Sequence, residues 1–383
     1  MHKNWAVLVN GERIESVGPA DEIKVNSSIK VIELKGQTLL PGLIEGHSHV
    51  LLHPYNETSW DDQVLKESRV ERTVRAVNHL NKTLMAGFTT IRDLGSEGAG
   101  YDDVGLKRSI EKGLIPGPRM LVAGPAIVAT GSYGPKSNST ELSLTKGAEE
   151  ADDQNIVKVV RDQIGHGVDV IKIYADYGWG LNNSTQPTFL EEEIRKAVQI
   201  AGSSGRGVVA HASTPEGMRR AIMGGVETIE HGDNGTVEIF NLMKEKGVAL
   251  CPTLAAGDAV AQYRGWKKAS EPEPERIRQK KVSFQLALKS GVTICMGGDA
   301  GVFEHGTNAL EMELMVAYGM KPINVLRSAT SVNADVFHLS DQVGRIKSGL
   351  LADLIAVEGN PEENISALRQ VRMVMKSGKI YKQ

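Results

Sequence analysis

The stretch Gly207–Asp233, GVVAHASTPEGMRRAIMGGVETIEHGD, decides the architecture. Val208–His211 is a short apolar run that ends in a histidine. Pro215–Met223 carries apolar residues at helical spacing, and Thr228–His231 is a second apolar run that also ends in a histidine. Run, amphipathic stretch and run together predict two parallel strands, since parallel neighbours are joined by crossovers.

The same unit recurs outward in both directions. Short apolar runs occur at Leu43–Val50, Thr89–Leu94, Arg119–Ala123, Val170–Tyr174, Val248–Pro252 and Thr293–Asp299, making eight in all. Helical patterns follow most of them, at Val64–Ala86, Ile156–Gly165, Leu190–Ser203, Pro215–Met223, Val237–Lys246 and Ile277–Lys289. Eight strand–helix repeats predict an α/β fold closed as a (β/α)8 TIM barrel over residues 41–344. An open doubly wound sheet is the competing architecture. No dinucleotide glycine fingerprint follows the first run, which argues against it.

The two chain ends read differently. Ala6–Val9 and Arg13–Val17 flank Asn10-Gly11, a pair suited to a tight hairpin turn. Val31–Leu34 and Thr38–Leu40 continue the β pattern, as do Asp353–Val357, Val371–Lys376 and Ile380-Tyr381. Either end alone is too small to bury a core. Residues 1–40 plus 345–383 are therefore expected to form one composite β-sandwich.

Bulk properties exclude several classes. With 383 residues, 40% apolar and 24% charged, and a net charge of -3, the chain shows no bias toward nucleic acid or anionic membrane. No apolar run reaches 18 residues, so no spanning helix is expected. The two cysteines, Cys251 and Cys295, do not make a disulfide framework. The N-terminus enters a strand pattern at once, without a signal-peptide core, and the expected location is cytoplasmic.

Polar residues at the strand ends carry the functional reading. His47 and His49 lie two apart on one strand and share a face. His211, His231 and Asp299 each end a later run, and barrel strand ends converge where chemistry is sited. Taken singly, each has a structural alternative: paired core histidines for the first two, and a helix N-cap for Asp299. Lys172 stands within the buried run VIKIY, where an unpaired ammonium is costly. It therefore needs a carboxylate partner such as Asp176 or Asp93, a lowered pKa, or carbamylation. Four imidazoles, one lysine and one aspartate suit two divalent ions, most economically zinc.

These motifs resemble the amidohydrolase superfamily, in particular binuclear-metal members of prolidase-like and imidazolonepropionase-like type. The resemblance rests on LLPGLIEGHSHV (39–50), AGFTTIRDLG (86–95), VIKIYA (170–175), VVAHAS (208–213), TIEHGD (228–233), GGDAGVFEHGTNALEMELM (297–315), LRSATSVNAD (326–335) and GRIKSGLLADLIAVEGNP (344–361). It implies that His47 and His49 hold one metal and that His211 and His231 hold the other. It also implies that Lys172 is an N6-carboxylated bridge. Asp299 then binds the first metal and shuttles the proton of a bridging hydroxide. The implied activity is metal-dependent hydrolysis of an amide C–N bond, dipeptidase- or carboxypeptidase-like, by a homo-oligomer acting on a small molecule. The alternatives are a cyclic amidohydrolase of imidazolonepropionase type, with lactonase or phosphotriesterase activity as a side trait, or a non-catalytic barrel scaffold.

On the substrate side, Tyr133 in TGSY stands where the family commonly has a histidine, and it is a candidate catalytic residue that can donate a hydrogen bond to an oxyanion but carries no positive charge near pH 7. The alternative for Tyr133 is packing on Pro135. Candidate cations for a substrate carboxylate are Arg264, Arg92 and Lys136. His53 and His305 are expected at the pocket mouth, Tyr177 and Trp179 as aromatic walls, and 132–155 as a lid, an oligomer contact or an insertion.

Overall fold

Seven of the eight apolar runs form parallel strands, β1 Leu43–Ser48, β2 Phe88–Asp93, β3 Arg119–Val122, β4 Ile171–Tyr174, β5 Val208–Ala212, β6 Thr228–His231 and β7 Ala249–Cys251. The computed structural model describes residues 2–24, 29–135, 141–142 and 144–383. Strands β1 to β3 make one sheet. Strands β4 to β7 make another, extended beyond β4 by two short strands, Ile127–Ala129 and Glu149–Ala151. Their side chains are almost all buried, as parallel strands covered by helices require.

The eighth run, Thr293–Asp299, forms no regular strand. It is held by single bridges on both sides, Leu250 with Ile294 and Ser48 with Ala300. Gly46 N donates to Met296 O at 3.0 Å, and His49 N donates to Ala300 O at 2.7 Å. The pair Gly297-Gly298, followed by Asp299 at φ 65°, interrupts the extended backbone that a ladder needs. At the other sheet edge, Asp169 N donates to Val122 O at 2.8 Å, linking β3 to the approach of β4.

The connection between β5 and β6 shows why the local sequence folds this way. Thr214 caps the helix Pro215–Gly224 by accepting from Gly217 N, Pro215 takes the first turn, and Gly225 closes it in the left-handed conformation. Such a cap contributes about 1 kcal/mol. The pattern Val64–Ala86 is instead two helices, Trp60–Leu65 and Arg69–Met85, because the Ser68 side chain accepts from Glu71 N and restarts the helix.

The chain ends pair with each other. Gln37–Pro41 runs antiparallel to Leu354–Glu358, which continues to Val371–Lys376 and Lys379–Lys382 in one four-stranded sheet. The hairpin Trp5–Asn10 with Arg13–Pro19 joins the same region, where Ile14 N donates to Leu350 O at 2.9 Å. Ile14, Leu354, Ala356, Met373 and Met375 form a separate apolar cluster there. Val31–Leu34 is not a strand, although Ile32 and Leu34 pack on this cluster. Among the described residues, no helix is long and apolar enough to cross a membrane.

Gly297 sets how closely the eighth segment approaches β1. A Cβ there would overlap Cys251 Sγ and lie 2.8 Å from the His47 backbone nitrogen. Gly297→Ala is therefore expected to destabilise the protein by about 1–3 kcal/mol, the usual range for overpacking. Thermal unfolding measures this, and an unchanged melting temperature would contradict so tight a contact.

Candidate active site

Strand ends bring the six predicted residues into one chamber. His49 Nε2 lies 3.3 Å and His47 Nε2 3.7 Å from Asp299 Oδ1. The ring centroids of His47 and His231 are 5.1 Å apart, and those of His211 and His231 are 4.5 Å apart. Lys172 is fully buried beneath them, its Nζ 5.5 Å from the Tyr174 ring, and the same ring stacks on His211 at 4.6 Å. His231 and Asp299 both adopt positive φ, 75° and 65°. Those strained turns redirect the side chains as the strands end.

Burial dominates the electrostatics. It lowers the pKa of His47 and His231 well below the ordinary histidine value and that of His211 to about 3, so all three present neutral nitrogen lone pairs at pH 7. Burial likewise raises Asp299 and lowers Lys172. A lowered lysine pKa shifts the balance toward the neutral amine, the form that adds to CO2.

Three atoms of this chamber are buried without a hydrogen-bond partner in the structure: His47 Nε2, Lys172 Nζ and Asp299 Oδ1. Orphaned polar atoms cost roughly 1–3 kcal/mol each, and three in one place mark a site built for something more. One donor atom each from His47, His231 and Asp299 falls within a mutual 4.8 Å. The donor set of imidazoles and carboxylate fits divalent cations of the zinc type. His47, Glu230 and Cys251 also lie that close together. Glu230 is already engaged there by Arg92, Thr228 and His47, so that group is the support beneath the site.

The sequence does not point to that support. Glu230 Oε2 takes His47 Nδ1 at 2.8 Å, and Oε1 takes Arg92 Nη2 at 2.8 Å, with both residues buried. The arrangement leaves His47 Nε2 pointing toward Asp299, as a carboxylate behind a ligating histidine does. Glu45 Oε1 accepts from His47 N at 3.1 Å and Gly298 N at 2.7 Å, tying β1 to the eighth segment. His231 Nδ1 pairs with Thr253 Oγ1 at 2.7 Å, and His49 Nδ1 with Gly95 O at 2.9 Å. Glu230 left no signal of its own in the sequence, because its partners His47 and Arg92 lie far away in the chain.

Asp176 and Asp93 are not partners of Lys172. Asp176 accepts from Ser213 N and Thr214 N, and Asp93 from Val50 N at 2.7 Å. A cleft of about 830 Å³ opens above the chamber, lined among others by His211, Trp60, Tyr177, Arg264 and Arg276. Arg264 thus reaches the cleft. Arg92 does not, because it is buried under the site, bonded to Gly46 O and Glu230. His53 lies buried between Glu57 and Glu67, and His305 stacks on His79 at 4.3 Å with Nε2 on Leu52 O. Neither histidine lines the cleft, since carboxylates or carbonyls hold their rings inward. Lys136 lies outside the described residues, as does part of 132–155. Tyr133 is buried, its hydroxyl donating to Glu97 Oε2 at 2.9 Å, and its ring meets Trp60, Tyr174 and Tyr177. Trp179 is half exposed, with Nε1 on Pro187 O at 3.1 Å.

The chain is similar to several known proteins. Ochratoxinase of Aspergillus niger is 28% identical over 424 aligned residues, covering 99% of this chain and 83% of that protein. The crystal structure of a Xaa-Pro dipeptidase with methionine bound in its active site superposes with a TM-score of 0.87 at 34% identity, covering 99% of this chain and 95% of that one. A prolidase complexed with N-methylphosphonate-L-proline gives a TM-score of 0.83 at 29% identity, over 98% and 94% of the two chains. The profile of the amidohydrolase family matches residues 38–381. The chain belongs to the amidohydrolase family.

Proposed function

We propose that this protein is a metal-dependent hydrolase of amide C–N bonds whose substrate is a dipeptide or N-acyl amino acid. The observation that carries it is the convergence of four histidines, Lys172 and Asp299, with orphaned buried atoms on three of the six. The family membership and the similarity to a Xaa-Pro dipeptidase and a prolidase support the reaction class. The architecture is read as a (β/α)8 barrel over 41–344, with a composite β-sandwich from 1–40 and 345–383.

His47 and His49 would hold one divalent ion and His211 and His231 the second, with Asp299 on the first. Lys172 would add an anionic ligand to the same set once its amine has formed an N–C bond to CO2 and released a proton. Two such ions, when bound, supply charge that polarises the scissile carbonyl and acidifies water. Asp299 accepts the proton of the attacking water at its free oxygen and delivers it to the departing amine, so amide and water become acid and amine. Glu230 and Gly95 O fix the rings of His47 and His49 for this geometry. Arg264, at the cleft wall, is the cation suited to a substrate carboxylate.

Elemental analysis of purified protein is expected to give two equivalents of zinc or a similar ion, and chelation is expected to abolish amine release from a panel of dipeptides and N-acyl amino acids. Absence of bound metal in active protein would sink the mechanism. Turnover of cyclic amides alone would shift the reading to the imidazolonepropionase type.

A further inference from the structure

The turn that delivers His231 is gripped by a single helix. His231 and Gly232 both adopt left-handed backbone, at φ 75° and 60°. A histidine keeps that conformation only where its surroundings over-determine it. Here they come from Glu275–Ser290, the helix that follows Arg264 in the chain. Lys280 Nζ donates to His231 O at 2.8 Å and pairs with Asp233 Oδ1. Ser283 Oγ donates to Gly232 O at 2.7 Å and accepts from Gly235 N at 3.0 Å. Lys280 and Ser283 are both buried. Arg276 completes the row, its Nη2 3.6 Å from Asp233 Oδ2. Positions 276, 280 and 283 are spaced by four and three, so they share one face of the helix.

Lysine is an uncommon residue for a buried clasp. A serine or asparagine also donates to a carbonyl, at a lower desolvation cost. The ammonium does two things that a neutral donor cannot. Its charge strengthens the bond to His231 O. It also neutralises Asp233, whose carboxylate lies on the cleft wall two residues beyond His231. Left unpaired, that carboxylate would be a further oxygen ligand for a cation in the chamber. The ring of His231 is fixed separately, through Nδ1 and Thr253 Oγ1 at 2.7 Å. Thr253 therefore orients the imidazole, and Lys280 holds the backbone that carries it.

Resting on the metal-dependent reading above, we infer that Lys280 is a positioning residue for the second ion, which clamps the left-handed His231 turn and keeps Asp233 out of the ligand set. It acts through His231 and Asp233.

Zinc titration of metal-stripped protein against a competing chelator tests this, because the two equivalents are read separately. Wild type is expected to bind two. In Lys280→Met the second equivalent is expected to weaken about 10- to 100-fold, the usual loss when the support of a ligand is removed, with the first unchanged. Lys280→Arg, which keeps the charge and the donors, is expected to restore most of that affinity. Ser283→Ala removes only the clasp on Gly232 O and is expected to show a smaller loss in the same equivalent. Ser68→Ala deletes a helix cap elsewhere and is expected to lower the melting temperature with both equivalents intact, which marks what a purely structural loss does. Equal weakening of both ions in Lys280→Met, or a second ion held as tightly as in wild type or more so, overturns the positioning role while metal binding stands. Should Lys280→Met fail to fold, unchanged second-ion affinity in Ser283→Ala overturns the clamp. Wild type that binds no zinc overturns the parent reading, and the role of Lys280 with it.

Discussion

Asp299→Asn is expected to lower kcat by about 10²- to 10⁴-fold, the range of positioned acid–base groups, with the metals still bound. The substitution isolates the proton role. Asparagine tolerates the left-handed backbone that Asp299 adopts at φ 65°, so the hydrogen bond from its backbone N–H to His47 O survives. Its amide oxygen can still face His47 and His49. What it cannot do is accept a proton near pH 7. Steady-state kinetics with parallel metal analysis separate the two effects. Near wild-type kcat in the fully metallated variant would remove Asp299 from proton transfer, and loss of metal would make it chiefly a ligand.

Glu230→Ala is expected to combine a large stability loss with weakened metal binding. The side chain holds the Arg92 guanidinium at 2.8 Å in a site where both residues are buried, and Arg92 also lies 4.1 Å over the Phe337 ring. Removing the carboxylate strands a buried cation, which costs about 3–5 kcal/mol. It also frees His47 Nδ1, and loss of such a partner lowers metal affinity about 10- to 100-fold. Glu230→Gln, which keeps shape and one acceptor, should fall between the two. Chemical denaturation and metal titration read the effects independently. Unchanged stability would mean that Arg92 finds another partner.

Much of the fold was legible because parallel strands covered on both faces are nearly uniform apolar runs, and because Thr214, Pro215 and Gly225 punctuate their helix in the usual way. The eighth run was harder. Its composition reads as strand, yet Gly297-Gly298 and the left-handed Asp299 break the ladder, and a positive φ at a non-glycine residue leaves no mark in a sequence. The histidines were legible because a polar side chain closing an apolar run is anomalous. Glu230 and Glu45 were not, since each owes its role to partners far away in the chain, such as Arg92 and Gly298. His53 and His305 misled for the converse reason: nearness in sequence to the ligands set their backbones near the site, while Glu67 and the Leu52 carbonyl turned their rings away.

The pairing of Gln37–Pro41 with Leu354–Glu358 has a consequence for biosynthesis. At a translation rate of about 5–20 residues per second, the earlier strand leaves the ribosome tens of seconds before its partner exists. Throughout that interval Leu39 and Leu40 belong to an unpaired edge, which is a template for association with other nascent chains. Polysomes crowd such edges together. The sheet therefore cannot form until the residues between these two strands have been made, and its first strand needs chaperone cover for that interval.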